Sequence, residues 1–258
     1  MPRANLSIKV SALTPHARPE APGRGVDAAR HRLRELLRHA ERLGAHLHID
    51  MESLDLRETV TELVREVLAE PEFERGPSAG IVLQAYLRDS AEELEDWLEW
   101  AGAVQRRQPL SIRLVKGAYW DQEVVEAREA GWQVPVYEQR ADCDRNFEAL
   151  SRSLIAAADT VRPAIASHNV RSVAHAIACA ESLGAEDVLE LQILRGLGDD
   201  LQVALAALGL RVRAYCPVGD LVAGMAYLVR RLLENTSNDS FLRIRTTADD
   251  PATLLAAP

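Results

Sequence analysis

Cysteines are scarce in the sequence and too far apart to form the usual stabilising sites. The 258-residue chain has three, Cys143, Cys179 and Cys216, and no Cys-X-X-Cys pair. An odd number of widely spaced cysteines argues against a disulfide framework and against a structural zinc site. We therefore expect three reduced cysteines that pack as small apolar side chains.

Positive charge and long apolar runs are also lacking. The chain has 30 Lys and Arg against 39 Asp and Glu, a net charge of −9, which argues against a nucleic-acid partner because phosphates require a basic face. No apolar run reaches the roughly 18 residues of a membrane span, and no signal-peptide pattern opens the chain. With 47% hydrophobic and 27% charged residues, the composition predicts a soluble, cytoplasmic protein with one large domain.

What the sequence has instead is a repeated alternation of short apolar runs and amphipathic segments. Segments such as 27–43 and 89–104 place apolar residues at spacings of three and four, as amphipathic helices do. Apolar runs between such helices are typical of parallel strands that helices cover. The seven runs are LSIKV (6–10), HLHID (46–50), IVLQAY (81–86), SIRLVKG (111–117), PAIASHN (163–169), LELQIL (189–194) and RVRAYCP (211–217).

Seven β-then-α units in series predict the α/β class and favour a (β/α)8 TIM-type barrel over an open sheet. The competing Rossmann sheet has a Gly-X-Gly-X-X-Gly string directly after a strand. The sequence contains no such string. The barrel is therefore the expected architecture.

Each run carries a polar residue in or near its end, where barrel enzymes place their catalytic groups. Taken singly, each is more simply explained as a hydrogen-bonded core residue. Their recurrence on seven successive runs indicates a polar pocket at the barrel mouth. They are Lys9, Asp50, Gln84, Arg113, His168, Gln192 and Tyr215.

A last amphipathic segment, residues 221–235, adds basic and aromatic side chains. Arg230 and Arg231 are adjacent in a strongly apolar stretch, with Tyr227 and Glu234 three or four residues from them. An exposed ion-paired surface is one explanation, but guanidinium groups suit a carboxylate or a phosphate. We therefore favour an anionic ligand.

Eight strings of the sequence occur in the order and spacing of flavin-dependent proline dehydrogenases. Over residues 6–245 the chain resembles that family, in particular the proline dehydrogenase domain of bifunctional bacterial proline-utilisation proteins. The strings are SIKVSAL, HIDMES, LQAYLR, IRLVKGAYWD, ASHN, LQILRGLG, AYCPVGD and YLVRRLLENTSNDSF.

The resemblance implies a barrel that binds FAD without a covalent link and oxidises L-proline to Δ1-pyrroline-5-carboxylate. Hydride would pass from proline C5 to flavin N5, in the first step of proline catabolism to glutamate, and no metal is needed. Electrons would pass on to a quinone. For a cytoplasmic protein, the resemblance further implies either a peripheral contact at the inner face of the membrane or a separate aldehyde dehydrogenase partner.

The resemblance also implies which residues contact the flavin. Arg113 would lie near N5, where negative charge accumulates, and Lys116 would support the phosphates, its alternative being a solvated lysine at a strand end. Trp120 would pack near the adenine or the ring system. The implied cofactor residues are Gln84, Arg113, Val115, Lys116, Gly117, Ala118, Trp120, His168, Asn169, Gln192, Leu194, Glu234 and Ser240.

On the substrate side the resemblance implies a grip of three cations, Lys9, Arg230 and Arg231, on the proline carboxylate. Asp50 matches an acid beside the flavin; alternatively it is the ion-pair partner of Lys9 or Arg113, because unpaired buried cations are costly. The residues that would enclose the pyrrolidine ring are Tyr119, Tyr215, Tyr227 and Leu194.

The sequence departs from the family pattern at three places. The family barrel has eight strands, and the strand preceding SIKV is missing, so we expect an open edge and poor stability as a lone monomer. Position 195 is Arg where many relatives have His, and YCPVG replaces YAPVG. Residues 246–258 resemble the start of an interdomain linker, which leaves 1–245 as the expected barrel domain.

Two other functions are compatible with the sequence. A truncated barrel that is catalytically weak or silent would act as a binding or assembly partner of another chain. Alternatively, Lys9 or Lys116 would form a Schiff base with a carbonyl substrate, as barrel aldolases do.

Overall fold

A computed structural model describes residues 2–16 and 22–220, together with residues 222, 224, 225, 227, 229 and 255–258. The chain divides into two compact units, Met1–Ala164 and Ile165–Pro258. The described strands are β1 (Asn5–Lys9), β2 (His46–Asp50), β3 (Ser78–Gln84), β4 (Ser111–Val115), β5 (Arg162–Ala166), β6 (Glu190–Leu194) and β7 (Val212–Tyr215).

Helices separate these strands along the chain. The α-helices are α1 (Val10–Leu13), α2 (Pro22–Arg42), α3 (Leu54–Leu68), α4 (Ser90–Val104), α5 (Trp120–Ala130), α6 (Arg140–Ala156), α7 (Val170–Leu183) and α8 (Asp199–Ala207). A 3-10 helix, Pro71–Phe73, lies between α3 and β3. Among the described residues, none of the helices has both the length and the apolar character that a membrane crossing requires.

The strands form one sheet whose order follows the chain from β1 to β7. The pairs β1–β2, β2–β3, β3–β4 and β6–β7 are parallel. Lys9 is the register partner of Asp50, and Val82 is the partner of Arg113. Parallel pairing therefore places the carboxyl ends of β1 to β4 at the same edge of the first unit.

All seven predicted strands are confirmed, although their ends differ from the predicted runs. The run 81–86 belongs to β3, which begins at Ser78 and ends at Gln84. Within the run 111–117 the strand ends at Val115. It does not continue because Gly117 has a φ of +145°, outside the extended region. The polar residues expected at strand ends therefore lie partly in the strands and partly in the loops that follow.

Strand β4 shows how an apolar run accommodates a charge. Ile112 and Leu114 are fully buried, and alternation places them on the face opposite to Arg113. Arg113 is itself only 5% exposed. A buried arginine needs a partner, and residues of β1 and β2 supply it.

Candidate active site

The best-defined site residues of the first unit lie in β1, β2 and β4 and in the loops that follow these strands. Arg113 Nη1 forms an ion pair with Asp50 Oδ1, and Arg113 Nη2 donates a hydrogen bond of 2.9 Å to Ser7 Oγ. The Arg113 and Asp50 side chains are 6% and 16% exposed. Of the two ion pairs that the sequence left open for Asp50, the structure therefore shows the one with Arg113.

Lys9 has different partners. Its ammonium group donates a hydrogen bond of 2.8 Å to Tyr119 Oη and lies 3.7 Å from Glu52 Oε1. Glu52 also accepts hydrogen bonds of 3.1 Å from the Ser11 amide and 2.6 Å from Ser11 Oγ. Lys9 is thus held between the loop after β2 and the loop after β4.

Glu52 is a site residue that sequence reasoning missed. It stands in the HIDMES string, two residues after Asp50, and is only 9% exposed. Gln84, the last residue of β3, is buried as predicted for a strand-end polar group, with Nε2 3.5 Å from the Glu52 carbonyl oxygen. An acid so close to a predicted strand end was the available signal.

The loop after β4 is supported by Tyr86. The Tyr86 amide donates to the Lys116 carbonyl at 2.7 Å, and the Ala85 amide donates to the Val115 carbonyl at 2.9 Å. A Cβ atom on Gly117 would lie 2.4 Å from Tyr86 Cγ, so only glycine fits against this buried ring. Burial also raises the pKa of the Tyr86 phenol, which stays protonated at neutral pH.

Lys116 and Trp120 contact a different part of the first unit. Lys116 Nζ is ion-paired with Asp144 on α6 and lies 5.6 Å from the centroid of the Phe147 ring. The Trp120 indole donates a hydrogen bond of 2.9 Å to the Tyr137 carbonyl. Lys116 is therefore an ion-paired cation, and the alternative of a solvated lysine at a strand end is wrong.

Cys143, next to Asp144, is buried as predicted, and burial raises the pKa of its thiol to about 11. The thiol is therefore protonated at neutral pH. Cys179 is also buried, with its Sγ 3.4 Å from His175 Nε2, whereas Cys216 is exposed. The exposure of Cys216, which follows β7, disagrees with the packing role expected for it.

In the second unit His168 and Asn169 have local hydrogen-bond partners. His168 Nε2 accepts a hydrogen bond of 2.9 Å from the Leu194 amide, and a Cβ on Gly198 would lie 2.8 Å from His168 Cδ2. Asn169 is the N-cap of α7, where its side chain accepts from the Ser172 amide at 3.2 Å. Both residues therefore organise the end of β6 and the start of α7.

Gln192 belongs to a buried polar group on β6 and β7. Its Nε2 donates to Glu190 Oε1 at 2.7 Å, and Arg213 binds both Glu190 oxygens at 2.8 Å. Sequence reasoning missed Glu190 and Arg213, although each alternates with a predicted residue on its own strand. Leu194 and Tyr215 are register partners at the ends of these strands.

The remaining predicted residues are only partly covered by the structure. Val115 ends β4, and Ala118 follows Gly117 in the loop before α5. Tyr227 is half-buried at a helical position. Those that lie outside the described residues are Arg230, Arg231, Glu234 and Ser240.

The donors of the first unit fit an extended anionic cofactor better than a metal ion. Arg113 and Gln84 are a buried cation and a buried amide near the same sheet edge, and Lys116 adds a second cation in the adjoining loop. Such groups bind phosphates and polar rings. In the part of the chain that the structure describes, no three His, Cys, Asp or Glu side chains are grouped to hold a metal.

Comparison with known proteins identifies the family of this chain. The sequence model of the family described as Proline dehydrogenase matches residues 1–244. Bifunctional protein PutA of Salmonella typhimurium is 34% identical over 263 residues, 98% of this chain and 20% of that protein. Proline dehydrogenase of Deinococcus radiodurans is 30% identical over 220 residues, 84% of this chain and 63% of that protein.

The solved structures extend the likeness to the fold. Proline utilization A (PutA) from Bdellovibrio bacteriovorus, inactivated by N-propargylglycine, matches with a TM-score of 0.94 and 41% identity, covering 100% of this chain and 27% of that one. The predicted α/β TIM-type barrel fold is confirmed by this match, and the described residues form a seven-stranded sheet of that fold. The chain belongs to the proline dehydrogenase family. It spans about a fifth of the length of the PutA relatives.

Proposed function

We propose that this chain uses FAD to oxidise L-proline to Δ1-pyrroline-5-carboxylate. The observation that carries the proposal is the buried ion pair between Arg113, in the middle of β4, and Asp50, the last residue of β2. A fixed guanidinium in a nearly dry environment stabilises developing negative charge better than a solvated one. Because Asp50 and Ser7 already orient it, Arg113 needs no reorganisation when charge arrives.

The residues around this pair would hold FAD, which when bound supplies the hydride acceptor. Gln84 offers a buried amide, and Lys116, held by Asp144, offers a cation for the phosphates. The close fit of Gly117 against Tyr86 fixes the backbone of residues 115–118 beside them. His168, Asn169, Gln192, Leu194, Glu234 and Ser240 complete the proposed set by resemblance.

We assign the proline carboxylate to Lys9, Arg230 and Arg231. Lys9 is 36% exposed, so it reaches solvent and a ligand while Tyr119 and Glu52 hold it in place. Charge-assisted bonds to a carboxylate are stronger than neutral ones, and proline is too small to be positioned by much else. Tyr119, Tyr215, Tyr227 and Leu194 are assigned to the pyrrolidine ring by resemblance.

The chemical step requires orientation and charge placement. The lone pair of the neutral ring nitrogen of proline would form the C5–N double bond as C5 gives up hydride to the bound flavin. The resulting N-protonated imine would then release its N–H proton to solvent, which leaves Δ1-pyrroline-5-carboxylate. Binding of the carboxylate by Lys9, Arg230 and Arg231 holds C5 in one orientation. This lowers the entropic cost of reaching the transition state. Arg113 stabilises the negative charge that the two electrons bring.

The wider reaction is proposed on the same resemblance. The two electrons would leave to a quinone, which requires a peripheral contact with the inner face of the membrane. We further propose that residues 1–245 form the catalytic domain and that 246–258 begin a linker. The product would be consumed by an aldehyde dehydrogenase that acts on the open-chain aldehyde.

An anaerobic titration tests the function. The protein is loaded with FAD, and the visible flavin absorption is followed as L-proline is added. Bleaching that saturates with L-proline but not with D-proline is expected. A bound flavin that stays oxidised would contradict proline oxidation and leave a silent barrel as the better explanation. Inactivation by N-propargylglycine, as in the Bdellovibrio relative, is the second expected result.

The Schiff-base alternative has its own test in the same preparation. Borohydride added with a carbonyl substrate would trap a covalent adduct on Lys9 or Lys116. Mass spectrometry of the digested protein is expected to find no adduct on either lysine. An adduct that requires substrate would replace flavin chemistry with lysine chemistry.

A further inference from the structure

Glu123 joins two segments of the first unit that are far apart in sequence. It lies in the first turn of α5 and is only 4% exposed. Its Oε1 accepts a hydrogen bond of 2.8 Å from the Leu54 amide, 69 residues away. Leu54 is the first residue of α3, so this bond satisfies an amide that a helix leaves unpaired at its start.

Capping of helix α3 explains only part of this arrangement. Its N-cap residue, Ser53, makes no capping bond to the helix, so Glu123 supplies an acceptor that an N-cap side chain usually provides. Asp55 already places an acid in the first turn, and an exposed acid would serve the helix dipole equally well. Burial raises the pKa of Glu123, with the Leu54 amide opposing that rise, so the buried position carries an electrostatic cost that capping alone does not require.

The bond closes a ring of contacts around Lys9. One turn before Glu123, Tyr119 Oη accepts the hydrogen bond from Lys9, and the Glu123 amide donates to the Tyr119 carbonyl at 3.0 Å. Two residues before Leu54, Glu52 lies against the same ammonium group. The segment 52–54 and the segment 119–123 are therefore joined twice, once through Lys9 and once through Glu123.

We propose that Glu123 is a positioning residue that fixes Tyr119 and Glu52 about Lys9 and thereby sets the affinity for the substrate carboxylate. Neither Tyr119 nor Glu52 alone limits the distance between the two loops, because the Lys9 side chain is long and flexible. The Glu123–Leu54 bond is short, buried and anchored in two helices. This role rests on the proposed function, since it concerns the carboxylate that Lys9 is proposed to bind.

Four variants of the full chain test this role. Glu123→Ala removes the acceptor, and Glu123→Gln keeps an oxygen that accepts from the Leu54 amide. Leu54→Pro removes the donor at a position where proline suits a helix and where Ser53 is already extended, with ψ of 160°. Glu129→Ala, at an exposed position of the same helix, is the matched control.

Two readouts separate positioning from folding. Amide hydrogen exchange of Leu54, measured by NMR on the protein without substrate, reports the bond itself. KM and kcat for proline report its consequence. We expect faster Leu54 exchange and a KM raised by up to about tenfold in Glu123→Ala, with a much smaller change in kcat. Leu54→Pro should raise KM similarly, and Glu123→Gln should restore both readouts, as Glu129→Ala leaves both unchanged.

Several results would overturn the inference. One is an unchanged Leu54 exchange rate in Glu123→Ala. Another is an unchanged KM in a variant whose Leu54 exchange is faster. The third is an equal increase in KM in Glu123→Ala and Glu123→Gln. If Glu123→Ala does not fold, Leu54→Pro and Glu123→Gln decide the question. If the unsubstituted protein does not oxidise proline, the proposed function fails and the KM claim with it, while Leu54 exchange still shows whether Glu123 joins the two segments.

Discussion

Gly117 and the ring of Tyr86 are packed so closely that a Cβ atom at position 117 would lie 2.4 Å from Tyr86 Cγ. The φ of Gly117 is +145°, which L side chains rarely adopt. Two independent restrictions therefore apply to one residue in the middle of the loop that carries Lys116 and Tyr119. The shape of this loop therefore depends on Tyr86, a residue that takes no part in the proposed chemistry.

Substitution of Gly117 by Ala should displace this loop. We expect a loss of about 2–4 kcal/mol in the free energy of unfolding, from overpacking and from the strained φ, and a weaker FAD affinity. Urea unfolding and FAD titration measure the two effects. Gly102→Ala is the control: it lies in α4 with open space around it, and should stabilise the protein by about 0.5–1 kcal/mol. Equal effects of the two substitutions would contradict the close packing.

Removal of the Arg113 guanidinium should lower the free energy of unfolding, because Asp50 loses the cation with which it is paired. Arg113→Met leaves the Asp50 carboxylate largely buried and without its cation, at a cost of about 3 kcal/mol in the free energy of unfolding. Adding Asp50→Asn should recover part of the loss, because the remaining group is then neutral. Arg195→Met removes the exposed pair with Asp199 and should cost less than about 1 kcal/mol.

The same substitution tests the catalytic assignment. Arg113→Met should weaken FAD binding or slow the reduction of bound flavin by proline, since the positive charge near the developing negative charge is lost. Stopped-flow reduction under anaerobic conditions provides the measurement. Normal flavin affinity together with a normal reduction rate would remove Arg113 from the proposed site.

Glu93 should make the stability of the fold depend on pH. Burial raises the pKa of Glu93 above its ordinary value of 4.5, partly offset by Arg57. The folded state therefore holds a proton that the unfolded state releases, so stability from this group is present below about pH 4.5 and is lost as pH rises through the raised value. Glu93→Gln should abolish this loss.

The difference in unfolding free energy between Glu93→Gln and the unsubstituted protein should thus grow in favour of the variant from pH 4.5 upwards. Asp89, whose pKa is lowered mainly by its hydrogen bond with Arg57, acts in the opposite direction but at more acid pH. Glu95→Gln, at an exposed position of the same helix, is the control for removal of a carboxylate from this helix. A difference for Glu93→Gln that does not change with pH would refute the buried-acid explanation.

Arg230 and Arg231 can be tested by substitution although the structure does not describe them. Replacing either with Met should raise the Kd for proline, at a cost of about 1.5–3 kcal/mol, because a charge-assisted contact with the carboxylate is lost. Flavin affinity should change little. Arg211→Met, at an exposed position, is the control. Unchanged proline affinity in both arginine variants would rule out the carboxylate assignment.

The sequence predicted the strands well because each apolar run is local. It also predicted that Arg113 needs a partner, since a buried guanidinium is costly wherever it occurs. It did not predict Glu52 and Tyr86, because their roles depend on Lys9, Tyr119 and Gly117, which are distant in sequence.

Glu123 was missed for the same physical reason. It stands four residues after Tyr119, in a segment that reads as an ordinary amphipathic helix, and its partner is a backbone amide. A backbone amide is present at nearly every residue, so the sequence does not indicate which one a side chain binds. Asp144 likewise gives no sign in the sequence that it pairs with Lys116. Apart from Asp50, sequence patterns therefore identified the charges of the site but not the groups that hold them in place.

The pairing of cations with carboxylates in the first unit has a consequence for selectivity. Lys9 lies beside Glu52, Arg113 beside Asp50, and Lys116 beside Asp144. Each of these positive charges is accompanied by a resident negative one, so the candidate site residues of the first unit are close to electrically balanced. A zwitterion with a single carboxylate is compatible with that balance, whereas a second carboxylate on the ligand would meet repulsion from the resident acids. The first unit should therefore discriminate against dicarboxylic amino acids such as glutamate, the end product of the catabolism that its proposed reaction begins.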